Sequence, residues 1–380
     1  MKIAQRTGAT WPSPDQALDL RAIAPQLAFV FGDVASLSAP RCLPALQQAL
    51  PGVTLMGCST AGEISTGCVG SGGVVITALH FDEPAFQQVT TDLIDMADSA
   101  AAGERLARAL TRPGLHSVLV LGQGVAINGS ALIEGMRRVL PPSVALSGGL
   151  AGDGGAFKQT WTVSSQAVSP RQLVALGFSG PRIQLRHGSF HGWQPFGVAR
   201  RVTRCEGNVL YELDGEPALD IYKRYLGHYA KDLPGSGLLF PFEMLGADHN
   251  ELGLIRTILG IDEAQGSLIL AGDIAPDGYL RLMHATTHSL IDGAQVAAER
   301  VRESGLPAGA SLALLVSCVG RKLVMGAHVD EEIEAVAEVF GKDAVVAGFY
   351  SYGEISPMVH GLDCKLHNQT MTITYISEIS

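Results

Sequence analysis

The sequence predicts an α+β (mixed α/β) protein in which mixed β-sheets, covered by helices, form two related lobes. Three observations carry this. A strand-helix-strand unit ending in a glycine and an acid returns three times. Alternating, strand-like runs separate the copies, and 380 residues, 47% of them hydrophobic and 17% charged, suffice for more than one core.

The first unit opens at 27–33 (LAFVFGD), an apolar run of strand length, continues through a short helix at 40–50, and returns as a strand at 53–57 running into CSTAGEI. The second has a strand at 117–121, a helix at 130–140 stopped by Pro141 and Pro142, and a strand at 144–147 running into GGLAGD. In the third, a strand at 312–317 precedes a helix at 330–340 ended by Gly341 and a strand at 344–350 running into SYGEI. The spacing is 31 residues from Phe31 to Gly62, 32 from Val120 to Gly152 and 37 from Val316 to Gly353, a spread that loop insertions absorb. A fourth, partial echo, Ala271-Gly272-Asp273-Ile274, follows a strand at 267–270 with no helix before it.

Alternation between the units predicts strands at 73–81, 86–91, 173–178, 183–190, 253–259, 279–283 and 370–376, and apolar periodicity predicts helices at 100–110, 216–226 and 289–303. Crossover units mixed with hairpin-like runs imply mixed sheets. Glycine, proline and arginine interrupt the strands at 180–207, which places the lobe boundary there and divides the chain into 1–200 and 201–380.

Composition narrows the functional classes. The longest apolar stretches, such as 117–121 and 311–317, are strand-sized, so no membrane span is expected, and no apolar segment follows Lys2 and Arg6 to make a secretory signal. A cytoplasmic protein is expected. A net charge of −10 with no basic block argues against nucleic acid. Six cysteines without a CxxC pair argue against a zinc ribbon, a thioredoxin motif or a disulfide framework and read as reduced, mostly buried thiols.

After a buried strand, a Gly-acid turn can aim backbone N–H groups and a carboxylate into a crevice that suits a small ligand. The candidate binding residues are Ser59, Thr60, Gly62 and Glu63, then Gly152 and Asp153, then Tyr352, Gly353 and Glu354, with Asn368 nearby in sequence. The expectation is that corners from the front and rear halves line one cavity. The alternative is a repeated structural turn whose acid caps the next element.

Longer motifs carry a family resemblance. GCSTAGEI at 57–64 and SGGLAGDG at 147–154 resemble the N-terminal FIST region, and EGNVLYELDGEPALDIYKRYLG at 206–227 looks like the family's central segment. SCVGRKLVMG at 317–326, GFYSYGEISP at 348–357 and LHNQTMTI at 366–373 are similar to the C-terminal FIST region, so the resemblance covers nearly the whole chain. It implies FIST N-terminal and C-terminal domains in 1–200 and 201–380 and a sensory protein that binds a small ligand and is not an enzyme. FIST domains occur alone or beside histidine kinases, cyclic-di-GMP enzymes and chemotaxis receptors. With no such output domain in this chain, the resemblance implies a histidine kinase or cyclic-di-GMP enzyme as partner in trans, as in a two-component system. A subset of stand-alone bacterial members binds haem and senses nitric oxide, which makes haem b a candidate cofactor. An amino acid or similar colourless ligand is the alternative. A homodimer is expected without a residue-level reason.

Haem iron needs an axial His, Cys, Met or Tyr in an apolar pocket. His367, inside LHNQT, is the first candidate and Cys364 a second; the alternative is that His367 and Asn368 hydrogen-bond the neighbouring turn. The pairs His187/His191 and His284/His288 have metal-like spacing but lack the glutamate of HExxH. A rival reading is a hydrolase using Cys58 or Ser59 at the strand-turn, although the pattern is not G-x-S-x-G, and no P-loop or G-x-G-x-x-G is present.

Overall fold

Each repeated unit lays down a parallel pair of buried strands joined by a helical crossover, and each pair becomes the centre of its own six-stranded sheet. The computed structural model describes residues 1–358 and 363–379. In the first sheet Leu27–Gly32 runs parallel to Thr54–Ser59, in the second Leu115–Gly122 to Ala145–Leu150, and in the third Ser311–Cys318 to Ala344–Ser351. Beside the first member of each pair lies an antiparallel two-strand edge: Val74–His80 with Lys2–Gly8, Gln172–Ser179 with Phe86–Asp92, and Met371–Glu378 with Ile183–Phe190.

The other edge of each sheet is donated by a neighbouring unit. After Thr54–Ser59 the chain crosses to the third sheet as Glu63–Ser65 and Cys68–Gly70; after Ala344–Ser351 it crosses to the second as Gly353–Pro357 and Cys364–His367; after Ala145–Leu150 it crosses to the first as Thr162–Ser164 and Val168–Ser169. The exchange is cyclic, so no unit is complete without its neighbours. A shared glycine marks the equivalence: a Cβ on Gly57 would sit 1.7 Å from Val30 O, on Gly148 1.8 Å from Val120 O, and on Gly348 1.8 Å from Leu315 O. Only glycine allows this approach of strand to strand.

The inner faces of the three sheets meet in one apolar centre that includes Phe29, Phe31, Leu119, Phe178, Leu314 and Phe349, with the rings of Phe31 and Phe349 stacked 4.9 Å apart. Strands buried on both faces read as continuous apolar runs. The outer faces are covered by Cys42–Ala49 on the first sheet, Ser99–Leu110 and Gly129–Arg137 on the second, and Thr287–Glu303 and Val329–Phe340 on the third. These helices lie where the periodicity places them. Two short helices that the periodicity does not show, Val34–Ser38 and Val319–Met325, follow directly on the first strands of units one and three.

Between 194 and 284 the chain builds a separate nine-stranded antiparallel sheet packed by the helix Ala218–Leu226 around its own core. The expected division between 200 and 201 falls inside this sheet, after the first residue of the strand Arg200–Glu206. Strands on both sides of that point, Ile183–Phe190 and Met371–Glu378, nevertheless pair within the third sheet. Among the described residues no helix is long and apolar enough to cross a membrane.

Candidate functional site

The first Gly-acid corner forms because Thr54–Ser59 must leave its sheet sharply to donate Glu63–Ser65 to the third. Glu63 is 2% exposed and stands opposite Phe349; its carboxylate accepts from Thr60 Oγ1 at 2.5 Å and from the Gly72 N–H at 3.3 Å. Glu354 repeats this arrangement opposite Gly149, accepting from Ser351 Oγ at 2.6 Å and the Thr370 N–H at 3.2 Å. In each case a hydroxyl three residues back and the return of the hairpin hold the acid. The structural role anticipated as the alternative is thus present at both.

Strand register shows that the second corner is not the third member of this set. Thr162, opposite Cys58, occupies the place that Glu63 and Glu354 hold opposite Phe349 and Gly149. Asp153 instead sits at the start of the loop inserted before Thr162, where it accepts from the N–H groups of Phe157, Lys158 and Gln159 and from the hydroxyl of Tyr352. Burial pushes its pKa up, but the Tyr352 hydroxyl and these backbone donors outweigh burial and hold it below the usual carboxylate range. Burial and Asp153 both raise the Tyr352 phenol.

The structure brings the first and second corners together. The N–H groups of Gly152 and Gly154 donate to the carbonyls of Ser59 and Thr60 at 2.9 and 3.0 Å, and Ser59 Oγ donates to Gly152 O at 2.7 Å. They open on a crevice of about 360 Å³ lined by Asp33, Thr60, Gly62, Glu63, Asp153 and Lys322, among others. Tyr352 reaches its margin through Asp153. Gly353, Glu354 and Asn368 do not line it: Glu354 is fully buried, and Asn368 Oδ1 is enclosed without a partner. The rear half enters the crevice through Lys322 rather than through its own Gly-acid corner.

Lys322 was not among the residues the motifs singled out, although it lies in SCVGRKLVMG. The short helix Val319–Met325 sends its Nζ to Ala61 O at 2.7 Å and Ser71 Oγ at 2.8 Å, with the Tyr350 ring 5.8 Å away. Two of its three hydrogens are used, which leaves one for a ligand. Burial lowers its pKa and the Glu63 carboxylate opposes that shift. Gly62 is fixed by this contact, since a Cβ there would lie 2.6 Å from Nζ. The remaining charge is acidic: Asp33, which also caps Val34–Ser38 by accepting from the Ser36 N–H at 2.6 Å, together with Glu63 and Asp153.

His367 ends the strand Cys364–His367, is buried, and borders a different cavity of about 360 Å³ with His191, Arg300 and Met358. Burial pushes the pKa of both imidazoles down to about 4, so both are neutral at pH 7. His367 Nε2 donates to Ser356 O at 3.1 Å, while His191 accepts the Trp193 N–H at Nδ1 and so carries its proton on Nε2. Neither ring presents an Nε2 lone pair to the cavity, and the arrangement does not fit an axial Nε2–iron bond. Cys364 is buried and its thiol is pushed up to about 12. Among the described residues no three His, Cys, Asp or Glu side chains are grouped to hold a metal ion.

Cys58 and Ser59 are not arranged as nucleophiles. Burial raises the Cys58 thiol well above its usual range, which disfavours the thiolate, and Ser59 Oγ donates to a carbonyl while accepting the Trp161 N–H at 2.9 Å.

Comparison with known proteins agrees with the motifs. The FIST N domain matches residues 26–216 and the FIST C domain residues 218–357. An uncharacterised protein of Methanocaldococcus jannaschii is 27% identical over 198 residues, 49% of this chain, which spans only 38% of that relative's length. An uncharacterised protein of Mycobacterium tuberculosis is 24% identical over 341 residues, 85% of each chain. The crystal structure of a cyanuric acid hydrolase from A. caulinodans aligns with 100% of this chain and 99% of its own at 11% identity, with a TM-score of 0.38.

Proposed function

Because the chain belongs to the FIST family, whose domains are sensory and bind small ligands in signalling proteins, we propose that the Lys322 crevice is the ligand site of a sensor that carries out no chemistry of its own. One observation carries the reading. A lysine from the rear half is held beside the Gly62-Glu63 corner of the front half with one N–H left over, at a crevice whose other charged groups are carboxylates.

That charge pattern suits a small zwitterion such as an amino acid, its carboxylate on Lys322 and its ammonium towards Asp33 and Asp153. A ligand there touches two strand-exchanged units at once, so occupancy stiffens the joint between them and gives a partner something to read. The partner proposed is a histidine kinase or a cyclic-di-GMP enzyme acting in trans.

Thermal unfolding of the full chain with each of the common amino acids tests the reading. A ligand at about a hundred times its Kd stabilises by about 2.7 kcal/mol. At least one should raise the Tm of the wild type and none should raise that of Lys322→Met; a panel with no effect on the wild type rejects the reading. The narrower haem reading, with nitric oxide as signal, would need His367 to give up its bond to Ser356 O, which is why the colourless ligand is proposed first.

A further inference from the structure

The fourth, partial Gly-acid echo lies outside the crevice and wraps an arginine. Arg256, in the nine-stranded sheet, is 4% exposed. Its Nε donates to Asp273 O at 3.0 Å, and its Nη1 donates to Ile255 O and Leu366 O, both at 3.1 Å. Gly272 lies against the guanidinium, since a Cβ there would be 3.0 Å from Nε and 3.1 Å from Cζ. The corner therefore packs against the guanidinium with Gly272 and accepts from it through Asp273 O, while Ile255 O and Leu366 O hold Nη1. Among the described residues Nη2 has no protein acceptor and no carboxylate lies within ion-pair distance of Arg256.

A buried cation without a direct ion pair is costly, by several kcal/mol before compensation, and the Asp273 carboxylate, beyond pairing distance, offsets burial only in part. Burial lowers the Arg256 pKa only to about 10, so the group remains charged at neutral pH. It borders a cleft of about 330 Å³ between the helix Gly129–Arg137 of the second sheet and the nine-stranded sheet. Ile133, Leu254 and Ile274 supply apolar wall, and the other charged groups on the lining nearly balance, Arg137 and Lys365 standing beside Glu134, Asp273 and Asp363. The cation calls for an anion, the near balance of the other lining charges leaves only about one positive charge to be matched, and the apolar wall favours a carbon body over a simple ion.

We propose that this cleft is a second ligand site, separate from the Lys322 crevice, and that it takes a small apolar molecule bearing one carboxylate, with the carboxylate on Nη2 of Arg256. The walls come from the front half, from the nine-stranded sheet and from Cys364–His367, so the ligand clamps that sheet to the three-unit body.

Calorimetric titration of the full chain carrying Lys322→Met, which disables the first crevice, tests this site alone. The probes are benzoate, butyrate, methyl benzoate and inorganic phosphate. Benzoate or butyrate should bind while methyl benzoate and phosphate do not, and Ala275→Trp, which fills the cleft without touching the bonds of Arg256, should weaken the carboxylate at least about tenfold. Arg256→Lys should weaken it similarly; if that variant does not fold, Ala275→Trp decides. The proposal is overturned if no carboxylate binds, if the ester or phosphate binds as well as the acid, or if Ala275→Trp leaves the affinity unchanged.

Discussion

Lys322 Nζ donates to the carbonyl oxygen of Ala61 at 2.7 Å, across 261 positions of chain. The bond ties a helix of the third unit to the turn by which the first unit enters the third sheet. Lys322→Met strands that carbonyl and Ser71 Oγ, at a cost of about 1–2 kcal/mol in urea-unfolding stability. An unchanged denaturation midpoint would show that the bond contributes nothing to the joint.

Gly62→Ala should resemble the lysine variant, because the added methyl lies 2.6 Å from Nζ and 3.2 Å from the Tyr350 ring and must push the flexible lysine aside. Gly57→Ala should be far worse. There the methyl meets the carbonyl of Val30 at 1.7 Å, inside a parallel strand pair that cannot separate without breaking the central core. Expression and circular dichroism of the pair provide the check: Gly62→Ala folded, Gly57→Ala not. A folded Gly57→Ala would contradict the close packing at that position.

Much of this architecture was legible along the chain, and the gaps have physical causes. Expected helices at 100–110 and 330–340 became Ser99–Leu110 and Val329–Phe340, because a long amphipathic face leaves a clear period. Val319–Met325 spans seven residues, too short for a period to emerge, so the helix that carries Lys322 passed unseen. Strand exchange was also invisible, since nothing local in Glu63–Ser65 names Ala344–Ser351 as its partner. The likeness of Gly152-Asp153 to Gly62-Glu63 reflected composition rather than register: the loop inserted after residue 150 moves the true counterpart to Thr162.

Between pH 5 and 8 four buried groups with large shifts make the main contributions to the pH dependence of stability. His187, His191 and His367 have folded pKa values of about 4 against 6.5 unfolded, so each contributes stability that is present above pH 6.5 and lost as pH falls towards 4. Glu354 is opposite in sign. Burial raises its pKa from 4.5 to about 8 against the hydrogen bonds from Ser351 and Thr370, so its contribution is complete below pH 4.5 and is lost as pH rises to 8. Each group acts at about 1.4 kcal/mol per pH unit within its window, and three histidines outweigh one glutamate on the acid side. Stability should therefore peak near pH 6.5. Urea midpoints from pH 5 to 8, below the range where the buried cysteine thiols titrate on unfolding, should decline above the peak in the wild type and not in Glu354→Gln; equal alkaline declines would remove Glu354 from the explanation.

One helical turn beyond Cys318, Arg321 faces away from the crevice and enters the core. It is fully buried with Glu332, to which it donates from Nε at 2.8 Å and again from Nη2, while Nη2 also reaches Leu290 O at 2.8 Å and Nη1 reaches His191 O. The second oxygen of Glu332 accepts from Tyr350 at 2.6 Å and Ser317 at 3.2 Å. Removing one partner leaves the other charge buried and uncompensated, so Arg321→Met should destabilise by about 3–5 kcal/mol. Arg321→Met combined with Glu332→Gln keeps the amide as a partner for Tyr350 and removes the stranded charge, so it should recover a large part of the loss. Additive effects in that double-mutant cycle would mean the two side chains do not act as a pair. Because Lys322 is the next residue on the same short helix, the single Arg321→Met variant should also weaken any ligand held by Lys322, while the double variant restores it.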